Sequence, residues 1–190
     1  MDFQSLIRQK KSNLKSCKTI VTNAIGERHE IINGKKNQLE SGIPFVIDDK
    51  PDLQIAEIIS GLFLSSQDPV ANVELLEKYK IGHILSIGIE VDLKFDNIKY
   101  YSFDLLDLPE SDIHSVVEKC IKIIHENRHE NVLVHCNAGV SRSPTIVIAY
   151  VMAFEKLSYD DAIAKVKIAR GCIKPNEGFV RQLKMLEVSK

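Results

Sequence analysis

Beyond residue 50 the apolar positions follow two alternating periods. Short blocks of aliphatic residues at 53–59, 62–64, 84–87, 98–103 and 132–134 predict strands, the first two joined at Ser60-Gly61. Residues 72–80 predict a helix. Val116, Cys120, Ile123, Ile124 and Asn127 then fall on one helical face, with Ser111 or Asp112 as candidate caps. The run 144–154 is apolar almost throughout and predicts a helix buried on most sides, with Pro144 in its first turn. Residues 159–169 and 177–188 predict two further amphipathic helices. Strands alternating with helices define an α/β domain, a central twisted sheet flanked by helices, with 132–134 as a central strand.

Before residue 51 the pattern differs. Residues 1–20 carry Arg8, Lys10, Lys11, Lys15 and Lys18 against the single acid Asp2, and Phe3, Leu6, Ile7 and Leu14 share one face of a short helix. Residues 23–50 are polar and turn-rich, punctuated by Asn33-Gly34-Lys35-Lys36 and Ser41-Gly42-Ile43-Pro44. The chain is therefore expected to divide into a basic, loosely ordered extension over 1–50 and a folded domain over 51–190.

The chemistry concentrates where the central strand ends. Val132-Leu133-Val134 runs into His135-Cys136, then through Asn137-Ala138-Gly139-Val140-Ser141 to Arg142 and Ser143 at the start of the apolar helix. Backbone N–H groups at a helix start, with the helix dipole behind them, favour a bound phosphate. The same field stabilises a thiolate at Cys136. Arg142 adds a planar two-pronged donor matched to phosphate oxygens, and Gly139 permits close backbone approach. A buried structural cysteine beside an ordinary turn needs none of these additions. The stretch defines a phosphate cradle, residues 137–142, with a sulfur nucleophile at its floor. Such a nucleophile requires an acid for the leaving group. Asp107 stands just past a strand on a loop stiffened by Pro109, and Asp104 is the alternative.

His135 to Ser143 resemble the signature His-Cys-x-x-Gly-x-Ser-Arg-Ser of the compact, atypical dual-specificity protein phosphatases, matching every fixed position. The resemblance covers about 51–188 and includes Gly61-Leu62-Phe63-Leu64-Ser65-Ser66, Leu106-Asp107-Leu108-Pro109-Glu110 and Pro175-Asn176-Glu177-Gly178-Phe179. It implies the cysteine-phosphatase fold and hydrolysis of phosphotyrosine and phosphoserine or phosphothreonine through a cysteinyl-phosphate intermediate, without a metal or other cofactor. It also implies roles: Asp107 as the acid, Ser143 as the hydroxyl that stabilises the leaving thiolate, His135 as a loop-orienting residue, and Asn176 as a tie between its turn and the loop. Arg170 is either a contact for a second substrate phosphate or a solvated helix-end arginine. Alternation along a strand sets His135 and Cys136 on opposite faces, so His135 is not placed to act as base to the thiol.

Composition adjusts this picture in a few places. A chain of 190 residues with 44% hydrophobic content supports one good core. The apolar run 144–154 is too short to cross a bilayer, and neither a signal peptide nor a myristoylated glycine is expected at the start. Four cysteines without paired or metal-like spacing fit a reducing, cytoplasmic location, with the nucleus as an alternative. A net charge of −1 gives no drive towards nucleic acid. Uncharged residues at 137, 138, 140 and 141 favour a phosphoprotein over an inositol lipid. The resemblance implies phosphoprotein substrates as partners, with components of MAP-kinase pathways among them, and the expected state is a monomer. Lys10-Lys11 with Leu14 resembles half of a kinase-docking motif, against which stands a plain solvated basic tail. Two rival readings are a silent phosphopeptide-binding scaffold and a redox switch pairing Cys136 with Cys120 or Cys172.

Overall fold

The computed structural model describes residues 18–22, 27–32, 35–39 and 50–188. The chain forms two units, Met1–Lys50 and Pro51–Lys190. In the first, β1 (Lys18–Thr22), β2 (Arg28–Ile32) and β3 (Lys35–Gln38) make an antiparallel sheet in the order β1-β2-β3. This replaces the loosely ordered stretch expected there. The local chemistry explains it: Thr19 to Thr22 and Ile31-Ile32 are β-branched runs, and Ile32 pairs with Lys35 across the two intervening residues Asn33-Gly34. Asn-Gly between strand-forming residues is a hairpin signal rather than mere punctuation. Asn33-Gly34, and the short helix expected over residues 3–14, lie outside the described residues.

The second unit begins with β4 (Ala56–Ile59) and β5 (Leu62–Ser65), followed by α1 (Val73–Lys78) and β6 (His83–Ile87). Then come β7 (Lys99–Phe103), α2 (His114–Asn127) and β8 (Val132–His135). The chain closes with α3 (Arg142–Glu155), α4 (Tyr159–Ala169) and α5 (Glu177–Val188). Five strands form one sheet in the order β4-β5-β8-β6-β7, with β4 antiparallel to β5 and the other pairings parallel. It is an α/β fold.

Period-two alternation divides the side chains between two apolar layers. Leu62, Leu64, Leu85, Ile87, Val132, Val134 and Cys136 belong to the larger core, with residues of α2, α3, α4 and α5. Phe63, Ile84 and Leu133 point the other way, to a smaller core with Val70 and Leu76. Burial on both faces is why these strands read as continuous apolar runs rather than alternating ones. Helix α3 runs through the middle of the larger core, and residues Ser143 to Met152 are all buried.

Boundaries shift where side chains intervene. The first strand starts at Ala56 rather than 53, because Asp52 Oδ1 takes the Gln54 amide at 3.1 Å and turns the chain. Asn72 caps α1 by accepting the Leu75 amide at 3.0 Å. Neither residue expected to cap α2 occupies that place: Ile113 does, its amide donating to Gln182 Oε1 of α5 at 3.0 Å, while Asp112 accepts the His114 amide.

Candidate active site

All four parallel strands end on the same edge of the sheet, and the loop that follows β8 forms there, as in open α/β sheets generally. Cys136 is the first residue past β8 and is buried at 2% exposure. The loop then turns at Gly139, whose φ of +65° disfavours an L side chain, and a Cβ there would sit 2.5 Å from the Ser65 carbonyl oxygen. Ser141 leads into α3.

The loop carbonyls are tied outward one after another. Asn137 O accepts from the Gln67 amide at 3.0 Å, Val140 O from the Lys174 amide at 2.7 Å, and Ser141 O from the Thr145 amide and hydroxyl at 3.1 and 2.8 Å. Between them, Ala138 O and Gly139 O accept from Arg170, each at 3.1 Å. Among the described residues, the N–H groups of 137–141 find no backbone acceptor. Because a peptide plane sets its C=O and the N–H of the next residue in opposite directions, the outward ties on the carbonyls of 137–141 turn the N–H groups of 138–142 to the inside of the loop. Ser143 Oγ donates to Cys136 Sγ at 3.2 Å.

Arg142 closes the cradle. Its Nη1 donates to the carbonyls of Gly88 at 2.6 Å and Ile87 at 3.3 Å, so the guanidinium leans on the end of β6. Its Nε is buried without a partner in the protein. An orphaned guanidinium N–H of this kind costs about 1–3 kcal/mol, and a phosphate oxygen is an acceptor of the kind that would satisfy it.

The structure brings Asp107 to the loop. Its Oδ1 accepts from Ser141 Oγ at 2.7 Å and from Asn176 Nδ2 at 2.8 Å. Asn176 also donates its amide to Ser141 Oγ and accepts the Phe179 amide at the start of α5. Asp104 is exposed and hydrogen-bonds no loop residue.

His135 lies on the face opposite Cys136. It is 1% exposed, its Nε2 shares a hydrogen bond of 2.7 Å with Ser86 Oγ on β6, and its Nδ1 has no hydrogen-bond partner. Burial lowers its pKa from 6.5 to about 4, with the Cys136 backbone pulling weakly the other way. Its folded value lies below its unfolded one, so the unfolded chain binds more protons between the two. The stabilisation is therefore complete above pH 6.5 and lost as pH falls towards 4. His135 alone is expected to remove on the order of 3 kcal/mol over that interval. Unfolding curves of wild type and His135→Gln check this: the variant should have a flatter pH dependence, and equal slopes would contradict it.

Arg170 departs from both sequence expectations. It is neither solvated nor open to a substrate phosphate: it is 0% exposed and paired with Asp52. Sequence reading also missed Asp52, Gln54, Ser86 and Gly88, which touch site residues only through long-range contacts. Of the two thiols considered as redox partners, Cys120 is buried with its pKa pushed up to about 12 by burial, which makes it a poor exchange partner, and Cys172 is exposed. Among the described residues no group of three or more His, Cys, Asp or Glu is placed to hold a metal ion, and no helix is long and apolar enough to cross a membrane.

A buried thiol below a loop whose carbonyls are tied outward, an arginine at the helix mouth and a carboxylate held against the loop form, on an α/β scaffold, the arrangement that phosphate chemistry on a sulfur nucleophile calls for. Residues 62–189 match the family described as dual specificity phosphatase, catalytic domain. The chain is 40% identical over 152 residues to dual specificity protein phosphatase 19 of Mus musculus, covering 78% of this chain and 69% of that protein. It is 38% identical over 133 residues to dual specificity protein phosphatase 22 of Homo sapiens, covering 69% and 72%. The crystal structure of the human tyrosine phosphatase-like serine/threonine/tyrosine-interacting protein superposes with a TM-score of 0.67 at 34% identity, over 71% of this chain and 96% of that one. The protein belongs to the dual specificity phosphatase family.

Proposed function

We propose that this protein hydrolyses phosphotyrosine and phosphoserine or phosphothreonine in protein substrates through a phosphate ester of Cys136. The observation that carries this is the outward anchoring of the carbonyls of 137–141, which turns the N–H groups of residues 138–142 to the inside of the loop. Cys136 thiolate attacks phosphorus in line with the leaving oxygen, so that the S–P bond forms as the P–O bond breaks. The loop amides and Arg142 hold the three equatorial oxygens. Asp107, protonated at this stage, gives its proton to the leaving oxygen. It then takes one from the water that cleaves the S–P bond and releases inorganic phosphate. The hydroxyl of Ser143 stabilises the sulfur anion as it departs. Asn176 and Ser141 hold the Asp107 carboxylate at the rim.

Asp107→Asn tests the acid. Hydrolysis of a phosphoserine peptide, whose alkoxide leaves poorly, is expected to fall about 10²-fold or more. The kcat/KM for p-nitrophenyl phosphate, which reports only the steps up to S–P bond formation and whose leaving group needs little protonation, should fall far less, and Asp104→Asn should match wild type on both. An equal loss on the two substrates would remove Asp107 from this role.

The uncharged loop residues Asn137, Ala138, Val140 and Ser141 support phosphoproteins over inositol lipids as substrates. MAP-kinase pathway components, action in signalling as a monomer, and a cytoplasmic or nuclear location complete the proposal. A thiolate nucleophile works in a reducing compartment, which supports that location.

A further inference from the structure

We infer that Arg170 and Asp52 are positioning residues for phosphate binding: an ion pair that holds the carbonyls of Ala138 and Gly139 outward and thereby aims the amides of Gly139 and Val140 at the phosphate, without touching it. The inference rests on the phosphatase reading of the loop.

Arg170 ends α4 and is completely buried. Its Nε donates to Gly139 O and its Nη2 to Ala138 O, each at 3.1 Å. Nη2 also meets Asp52 Oδ2 at 2.5 Å, and Nη1 donates to Gln54 Oε1 at 3.3 Å. A buried cation carries a large desolvation penalty, and apolar residues of similar volume often serve stability as well. An apolar side chain cannot present donors to two successive carbonyls. The planar guanidinium can, and the rigid peptide plane passes that restraint to the N–H of the next residue on the opposite side. Gly139 gives an independent sign that the fit is built: a Cβ there would lie 2.8 Å from Arg170 Nη2.

Asp52 is itself held in place. Its amide donates to Asp68 Oδ2 at 2.8 Å, its carbonyl accepts from Ser66 Oγ at 2.9 Å, and its Oδ1 accepts the Gln54 amide. The next residue along, Gln67, donates to Asn137 O. The segments 52–54 and 66–68 thus brace the arginine and the loop together. Burial works to raise the Asp52 pKa, but the hydrogen bonds from Arg170 and Gln54 and the Arg170 charge together lower it. The carboxylate consequently stays ionised, and the pair intact, into the acid range.

The test uses the full chain, wild type and with Asp52→Asn or Arg170→Met, and measures three quantities. These are orthovanadate affinity by calorimetry, the ratio of Cys136 alkylation rates by iodoacetate and iodoacetamide, and the thermal unfolding midpoint. Orthovanadate binding is expected to weaken on the order of tenfold to a hundredfold in Arg170→Met, since displacement of a binding group by about 1 Å has effects of that size. A smaller loss in the same direction is expected in Asp52→Asn. The preference for the anionic alkylating agent should fall with it. The iodoacetamide rate, which needs only an accessible thiolate, should change far less; a merely structural role would leave the ratio of the folded protein unmoved. Should Arg170→Met fail to fold, Asp52→Asn carries the test alone, because the Asp52 side chain is 44% exposed. Wild-type affinity and ratio in a folded Asp52→Asn protein would overturn the inference. A wild-type chain that neither binds orthovanadate nor hydrolyses aryl phosphates would overturn the phosphatase reading instead.

Discussion

Replacing Cys136 by serine is expected to lower the turnover of aryl phosphate and of phosphopeptides by about 10⁴- to 10⁶-fold, while phosphopeptide binding survives. The magnitude follows from the loss of a covalent step: residues that act as one catalytic unit fail together when the nucleophile goes. A serine hydroxyl at this position ionises far less readily than a thiol, and neutral His135 lies on the opposite face with its Nε2 engaged by Ser86, so no base stands ready to activate it. Binding is expected to persist because the phosphate contacts proposed for the amides of 138–142 and the Arg142 guanidinium do not involve the side chain of Cys136. Steady-state kinetics together with calorimetry on a phosphotyrosine peptide separate the two quantities. A variant that keeps turnover would remove the sulfur from the mechanism, and one that loses binding as well would place Cys136 in the fold rather than the chemistry. A wild-type chain that binds but never turns over would favour the scaffold reading.

Arg142→Lys is expected to cost about 10³-fold in kcat, the range observed when an arginine that stabilises a phosphoryl-transfer transition state is lost. Lysine keeps the charge, but it offers a point donor where Arg142 offers a fork. In Arg142 the Nη1 end is committed to the carbonyls of Ile87 and Gly88, leaving Nε as the orphan that a phosphate oxygen would satisfy. A single ammonium cannot lean on Gly88 and reach the phosphate at once. KM is expected to rise less than kcat falls, because charge spread over the equatorial oxygens is greatest in the transition state. A lysine variant with wild-type kcat would show that the loop amides suffice alone.

How much of this was legible in the sequence depends on the range of each interaction. The loop from His135 to Ser143 could be read because its parts are consecutive: strand, thiol, glycine turn and helix start need no knowledge of the rest of the chain. The helices 159–169 and 177–188 were equally local, each with its own apolar face. Asp107 was visible as a carboxylate beyond a strand, although its link to Ser141 and Asn176 spans 34 and 69 positions and belongs to the folded chain alone. Arg170 was misread for the same reason. A lone arginine at a helix end is usually solvated, and nothing near it announces partners 31, 32, 116 and 118 residues away. The central place of β8 was read correctly from the sequence, but its neighbours were not: β8, late in the chain, inserts between β5 and β6. In the first unit the β-branched runs around Asn33-Gly34 held a legible hairpin signal, and a polar, charged composition obscured it.

If phosphate passes through the sulfur of Cys136, a sulfur–phosphate bond exists during turnover. Acid quenching of the wild-type protein during turnover of a phosphopeptide, followed by peptide mass spectrometry, tests it most directly. A phosphate adduct is expected on the peptide containing Cys136, and with p-nitrophenyl phosphate as substrate, whose leaving group needs little protonation, it is expected to increase in Asp107→Asn, where the water that cleaves the intermediate lacks its base. A protein that turns over with no adduct at Cys136 in either form, or with the phosphate on another residue, would contradict it.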